Sequence, residues 1–166
     1  METLDALARA RAEHPQTLEP GSVAERQALD RFAAFFSSFA ADRIERLLEP
    51  TYAEDVWFDD TLKTVHGRPA LAAYLRESAA AVADCRVTVE DRTRTESGEY
   101  LLRWKMMIRF RRLRRGVATW SVGMSHLRFD AQGRVVYQQD YWNAADGLYQ
   151  HVPLLGLLIR ALKRRL

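Results

Sequence analysis

The N-terminal half of the chain places apolar residues three or four positions apart, which is the spacing of one face of a helix. Three helices are predicted, over residues 22–41, 43–49 and about 67–84. Ser22 and Glu25 have capping-box spacing, so each side chain can accept a hydrogen bond from a free amide at the start of the first helix. Pro50 ends the second helix, because proline cannot continue a helical hydrogen-bond ladder.

From residue 51 the pattern changes to β-branched and aromatic residues interrupted by glycine-containing turns. The segment 51–60 is predicted to end as a strand. Four further strands are predicted over 85–95, 100–113, 117–129 and 135–143. Helices followed by a meander of long antiparallel strands are typical of an α+β fold.

One strand, 100–113, has an unbroken apolar face opposite a face that carries three basic residues. One face is apolar: Leu102, Trp104, Met106, Ile108 and Phe110. The other is basic: Arg103, Lys105 and Arg109. We expect the apolar face to point inward, since burying arginine and lysine together is costly unless each is paired. The reverse orientation would leave Trp104 and Met106 for a subunit interface.

The last strand, 134–143, carries a carboxylate in aromatic surroundings. Gln138, Asp140 and Trp142 share one face of it. Aspartate is rarely buried unless its carboxylate is paired with another group or takes part in chemistry. Asp140 is therefore either an edge residue tilted into water or an acid/base group at the wall of an apolar pocket.

Composition points to an ordinary globular protein of one domain, with 166 residues of which 48% are hydrophobic and 28% charged. A single cysteine, Cys85, excludes an internal disulfide. The N-terminus does not have the pattern of a secretory signal, and the longest apolar run, near 154–159, is too short to cross a bilayer. A cytoplasmic location is the expectation.

Positive charge is clustered near residues 109–115 and 160–165. No interleaved aromatic stacking motif accompanies the first cluster, so we interpret it as a solvated hairpin tip and expect no nucleic-acid partner. The four histidines have no ligand spacing and no phosphate-cradling glycine loop is present, so neither a metal nor a cofactor is predicted.

Two short motifs carry a family resemblance: 53–60 (AEDVWFDD) followed by Gly67, and 139–143 (QDYWN). With the order of the elements, they resemble the nuclear transport factor 2-like superfamily, which includes ketosteroid isomerases, SnoaL-like polyketide cyclases and limonene-type epoxide hydrolases. The resemblance covers about residues 22–143. It implies a cone in which a strongly curved antiparallel sheet wraps a long N-terminal helix, a cystatin-like α+β barrel, and encloses an apolar pocket.

The resemblance also implies roles for two acids. Asp60 matches the general base of the isomerases, and Asp140 matches the aspartate that activates water in the epoxide hydrolases. The alternative is that Asp59 or Asp60 only caps the following loop by bonding its own backbone.

Three positions depart from the family pattern. Phe32 replaces a tyrosine of the isomerases and Ser125 replaces their oxyanion-binding aspartate, so ordinary ketosteroid isomerase chemistry is not expected. Lys105 stands where the epoxide hydrolases have an acid two residues after an arginine, here Arg103, which argues against epoxide hydrolysis.

The expected function is therefore a cofactor-free isomerase, cyclase or hydratase acting on a small hydrophobic ligand, with Asp60 and Asp140 sharing acid/base work. There are two alternatives. One is a protein that binds a ligand in the same pocket without turnover, and the other is a dimeric interaction module whose cavity would be filled by side chains. The predicted ligand-binding residues are Phe36, Phe39, Trp57, Trp142, Gln138 and Ser125.

The predicted layout is an arm (1–21), a pocket domain (22–150) and an amphipathic C-terminal helix (151–166) that packs back on the domain, with a membrane surface as its less favoured target. The strand 117–129 carries large apolar residues on both faces. It therefore predicts a homodimer through the outer face of the sheet.

Overall fold

The computed structural model describes residues 2–113, 116–144 and 148–149. Within them the four helices are α1 (Glu2–Glu13), α2 (Val23–Phe36), α3 (Ala41–Thr51) and α4 (Arg68–Ala81). The six strands are β1 (Tyr52–Asp59), β2 (Thr64–His66), β3 (Val82–Arg94), β4 (Tyr100–Phe110), β5 (Thr119–Phe129) and β6 (Val135–Trp142). The C-terminal helix predicted over 151–166 lies outside the described residues.

The strands form one open, curved sheet in the order β2-β1-β6-β5-β4-β3. This confirms the predicted α+β class, with one difference in strand direction. Strands β3 to β6 are antiparallel neighbours, whereas β1 pairs parallel with β6. No hairpin joins β1 to β6, so nothing local forces them to be antiparallel. Register shifts in β1, β3 and β5 interrupt the ladders, and such bulges bend a sheet.

The start of α2 follows the predicted capping box. Ser22 Oγ accepts from the amide of Glu25 at 3.0 Å, and the Glu25 carboxylate accepts from the amide of Gly21 at 2.6 Å. The helix ends at Phe36, earlier than predicted. Ser37 Oγ and the Arg43 guanidinium both donate to the carbonyl of Ala34, and these bonds take up a carbonyl of the last turn.

The two faces of the sheet carry separate apolar clusters. The larger lies between the inner face and helices α2, α3 and α4, and contains Phe32, Leu71 and Leu102. The smaller lies on the outer face, where Ala6 and Ala10 of α1 pack against β1 and β6. The N-terminal arm is therefore a helix that covers part of the outer face.

Strand β4 has the orientation that the simple interpretation predicted. Trp104 is buried in the inner cluster, while Arg103 and Lys105 point outward and pair with Glu90. The Trp104 indole lies directly over Gly123 of β5, where a Cβ would collide with it. A residue without a side chain at 123 thus leaves room for the tryptophan that borders the site.

Candidate functional site

The inner face of the sheet, α2 and α4 enclose a cavity of about 620 Å³. Of the described residues that line it, nine are aromatic: Phe35, Phe36, Phe39, Tyr52, Phe58, Tyr74, Trp104, Phe110 and Trp142. Two carboxylates of the described residues, Asp60 and Asp140, also line it. The interaction-module hypothesis required a cavity filled by side chains, so this open volume argues against it.

Asp140 lies on β6 with its residue only 4% exposed, and it still lines the cavity. Its Oδ1 accepts from Ser125 Oγ at 2.6 Å and from Gln138 Nε2 at 3.0 Å. The Gln138 amide also lies 3.1 Å from Oδ2. The alternative of an edge aspartate tilted into water is therefore wrong: β5 and β1 flank β6 on both sides.

Two chains of hydrogen bonds fix the direction of these contacts. Trp104 Nε1, which can only donate, is 3.0 Å from Ser125 Oγ, so the Ser125 hydrogen is left for Asp140. The Tyr52 hydroxyl is 2.7 Å from Gln138 Oε1, which turns the Gln138 amide nitrogen toward Asp140. Both neighbours therefore donate to the ionised carboxylate.

Burial raises the pKa of Asp140 to about 7, against partial compensation by the hydrogen bonds from Ser125 and Gln138. The charge of Asp60 raises it further. Among the described residues no cation pairs with Asp140, so no opposite charge offsets the rise in pKa that burial causes. The group can hold or release a proton near neutral pH.

Asp60 follows β1, caps the loop after it and also lines the cavity. Its Oδ1 accepts from the amides of Leu62 and Lys63, each at 3.0 Å, so it caps the loop. Its Oδ2 accepts from the Tyr74 hydroxyl at 2.5 Å. Burial raises the pKa of Asp60, and the bond from Tyr74 opposes that shift. Asp60 therefore borders the cavity with both oxygens already engaged.

Asp59 matches the capping interpretation alone. It accepts from the amide of Thr61 at 2.9 Å and from the Thr64 hydroxyl, and it does not line the cavity.

The remaining predicted site residues divide into three groups. Phe36, Phe39 and Trp142 line the cavity. Ser125 and Gln138 lie behind the wall and reach the cavity only through Asp140. The prediction that Trp57 lines the cavity was wrong. Trp57 belongs to the outer cluster and stacks on Tyr137 with ring centroids 4.9 Å apart. Side chains alternate along a strand, so Trp57 points away from the face that carries Phe58.

Sequence reasoning missed Tyr52, Tyr74 and Trp104 as members of the site. Period-two spacing from Asp60 back through Phe58 could have placed Tyr52 on the inner face. Tyr74 lies one position before Leu75, and Leu71 and Leu75, four residues apart, lie on the buried face of α4. The bond between Trp104 and Ser125 depends on the register of two strands, for which the sequence offers no local signal.

Outside the cavity, one surface cluster has potential metal ligands, namely Glu13, His14 and Asp55. His14 Nε2 lies 3.0 Å from Asp55, so an ordinary hydrogen bond explains that pair. No helix in the described part of the chain is both long and apolar enough to span a membrane.

A family model for the SnoaL-like domain matches residues 32–138, nearly two thirds of the chain. The chain belongs to the SnoaL-like family. Its fold is that of the nuclear transport factor 2-like superfamily, as the sequence motifs predicted. A search of curated proteins found no match.

Solved structures of low sequence identity share this fold. A protein of ketosteroid isomerase-like fold from Catenulispora acidiphila, in complex with trimethylamine, has a TM-score of 0.63 at 16% identity, covering 75% of this chain and 92% of its own. A candidate SnoaL-like polyketide cyclase from Shewanella denitrificans has a TM-score of 0.61 at 17% identity, covering 75% and 94%. An epoxide hydrolase of the LEH-like type from Mycobacterium tuberculosis has a TM-score of 0.61 at 14% identity, covering 87% and 99%. At these identities the likeness shows the fold alone.

Proposed function

We propose that this SnoaL-like protein is a cofactor-free acid/base enzyme of the isomerase, cyclase or hydratase type, acting on a small hydrophobic ligand. The observation that carries the proposal is a buried carboxylate, Asp140, that faces an aromatic cavity and is held by neutral donors. The candidate cyclase from Shewanella denitrificans is a relative in fold for which such a reaction class is named.

In the proposed reaction, ionised Asp140 takes a proton from the ligand and becomes a neutral acid. The same proton is then returned to another atom of the ligand or to the leaving oxygen, so Asp140 ends as it began. A pKa near the working pH suits both halves of this cycle. Ser125 and Gln138 stabilise the carboxylate and hold it toward the cavity.

Asp60 has a supporting part in this proposal. Its oxygens accept from two amides and from Tyr74, which leaves it poorly placed to take a proton. Its negative charge raises the pKa of Asp140, and the Tyr74 hydroxyl beside it offers a polar point for orienting a ligand oxygen.

The proposal is testable with 5-nitrobenzisoxazole, an apolar probe that opens when a base removes its carbon-bound proton and the N–O bond breaks to give a coloured phenolate. Wild-type protein should accelerate this reaction, with a rate that rises through about pH 7, because the ionised carboxylate is the base. Asp140→Asn should lose about 100-fold or more, the usual contribution of a positioned base.

Two further variants sharpen the test. Ser125→Ala removes a donor that favours the carboxylate, so the midpoint of the pH profile should move upward by about one unit. Asp42→Asn, on the exposed surface of α3, is the matched control and should leave the profile unchanged. Equal rates for wild type and Asp140→Asn would overturn the proposal.

A second candidate is a binding protein for a protonated amine. It is favoured by the absence of a cation beside Asp140 within the described residues and by the aromatic walls, since aromatic faces attract ammonium groups. The Catenulispora protein was solved with trimethylamine. Calorimetry with trimethylamine separates the two: this candidate requires binding that strengthens as Asp140 ionises and that Asp140→Asn abolishes, without catalysis of the probe.

A further inference from the structure

The cavity has a second kind of polar residue at its open end. Arg111 and Arg112 follow directly after β4, both are exposed, and both line the cavity. They are its only cationic lining residues within the described part of the chain. Leu62, 41% exposed in the loop after β1, also lines the cavity.

Neither arginine forms an ion pair with a described residue. Elsewhere in the described chain, exposed arginines such as Arg92 and Arg103 have carboxylate partners, at distances of 2.7 and 2.5 Å. Toward the described part of the chain, the guanidinium groups therefore keep their hydrogen-bond donors available for a ligand. Guanidinium binds carboxylate and phosphate oxygens in bidentate fashion.

The opening and the acid/base group lie at opposite ends of the cavity wall. Asp140 accepts a hydrogen bond from Ser125, and Ser125 accepts one from Trp104 in the first half of β4. From Trp104 to Phe110, the last residue of β4, the strand rises about 3.3 Å per residue, so the two ends are roughly 20 Å apart along the strand.

The wall between these ends is apolar. Met106, Ile108 and Phe110 line it from β4, and Ala80 and Ala81 line it from the end of α4 with Val82 at the start of β3. A molecule that fills the cavity and touches both ends must therefore be apolar along most of its length.

We infer that the cavity takes a long-chain anion, a carboxylate or a phosphate monoester, whose head group binds Arg111 and Arg112 while its apolar body extends toward Asp140. Cations at the opening also attract anionic ligands from solution, and ionic strength weakens that attraction. This inference deepens the proposed function and rests on the cavity being its ligand site.

Binding can be measured with dodecanoate, dodecyl phosphate and the uncharged 1-dodecanol, below their micelle concentrations. Trp104 and Trp142 line the cavity, so their fluorescence reports occupancy. Wild-type protein should bind at least one of the two anions about tenfold more tightly than the alcohol, and the stronger anion identifies the head group. Arg111→Gln combined with Arg112→Gln should remove that preference and leave 1-dodecanol binding unchanged.

The matched control is Arg9→Gln combined with Arg46→Gln, which removes the same charge from exposed positions on α1 and α3. This control should bind all three probes as the wild type does. Anion binding that survives the Arg111/Arg112 double substitution, or falls equally in the control, overturns the inference. The same is true if none of the three probes binds. The 5-nitrobenzisoxazole assay compares the wild type with Asp140→Asn and uses no arginine variant, so its outcome shows whether the proposed function stands when this inference fails.

Discussion

Two buried carboxylates on opposite faces of the same sheet behave in opposite ways. Asp140 faces the cavity, is held by neutral donors, and has its pKa raised to about 7 by burial. Glu99, at the turn before β4, has a side chain that is only 1% exposed, yet its pKa is lowered. Burial alone raises the pKa of Glu99, but the hydrogen bonds and charge of Arg11 and the charge of Arg128 outweigh it.

The geometry around Glu99 explains this difference. Arg11 of α1 binds both carboxylate oxygens at 2.9 Å, and Arg128 of β5 donates to Oε1 at 2.8 Å. Arg128 also donates to the carbonyl of His14 at 2.7 Å. Glu99 therefore joins α1 to the sheet with a permanent charge, whereas Asp140 keeps a proton that can leave. Burial prepares a carboxylate for chemistry only when no cation neutralises it.

The largest effect is expected from Glu99→Gln. It leaves the Arg128 guanidinium, 4% exposed, without a counter-charge, which typically costs about 3–5 kcal/mol of unfolding free energy. The pKa of Glu99 is lowered from 4.5, so the wild-type advantage should be complete above about pH 5 and should shrink as the pH falls further. Urea unfolding at several pH values measures it.

Glu90→Gln is the matched control, because Glu90 also pairs with two cations but is exposed to solvent at the sheet surface. It should change stability far less. If both variants unfolded at the same urea concentration, the distinction between a buried and an exposed ion pair would be lost.

Asp140→Asn should act in the opposite direction. The pKa of Asp140 rises from 3.8 to about 7 on folding, so the folded state binds the extra proton and the wild type loses stability as the pH increases through that interval. Asparagine carries no charge to desolvate. The variant should be more stable than wild type by about 2–4 kcal/mol near pH 8, with the gain vanishing near pH 4.

Thermal unfolding of both proteins across this pH range tests the sign. Asp42→Asn again serves as the control, since it removes an exposed carboxylate and should show no such pH-dependent gain. A loss of stability in Asp140→Asn at high pH would mean that the hydrogen bonds of the carboxylate outweigh its burial.

Sequence patterns predicted the inner face better than the outer one. Alternation along 100–113 correctly oriented Trp104, and the capping box correctly started α2, because both signals are local. The role of α1 depends on Glu99 meeting Arg11 and Arg128 from three distant parts of the chain, and no local pattern encodes that contact. Trp57 was assigned to the cavity because it is aromatic and near Asp60, although period-two alternation from Phe58 already placed it on the other face.

The smallest effect on folding is expected at the part of the outer face that α1 leaves bare. Trp120, Val122 and Tyr141 are 64%, 56% and 46% exposed there, on the neighbouring strands β5 and β6. An apolar patch of adjacent aromatic and branched residues on a sheet is typical of an interface. We predict that a second copy of the chain covers it, forming the homodimer expected from the sequence.

Trp120→Ser combined with Val122→Ser should therefore reduce the mass measured by light scattering from that of two chains to that of one. The folding of the protomer should change little, since exposed side chains contribute within about 0.5 kcal/mol when they lack partners. Val23→Ser, at a 58% exposed position on α2 away from the sheet, is the control and should leave the dimer intact. A wild-type protein that scatters as a single chain at micromolar concentration would contradict the prediction.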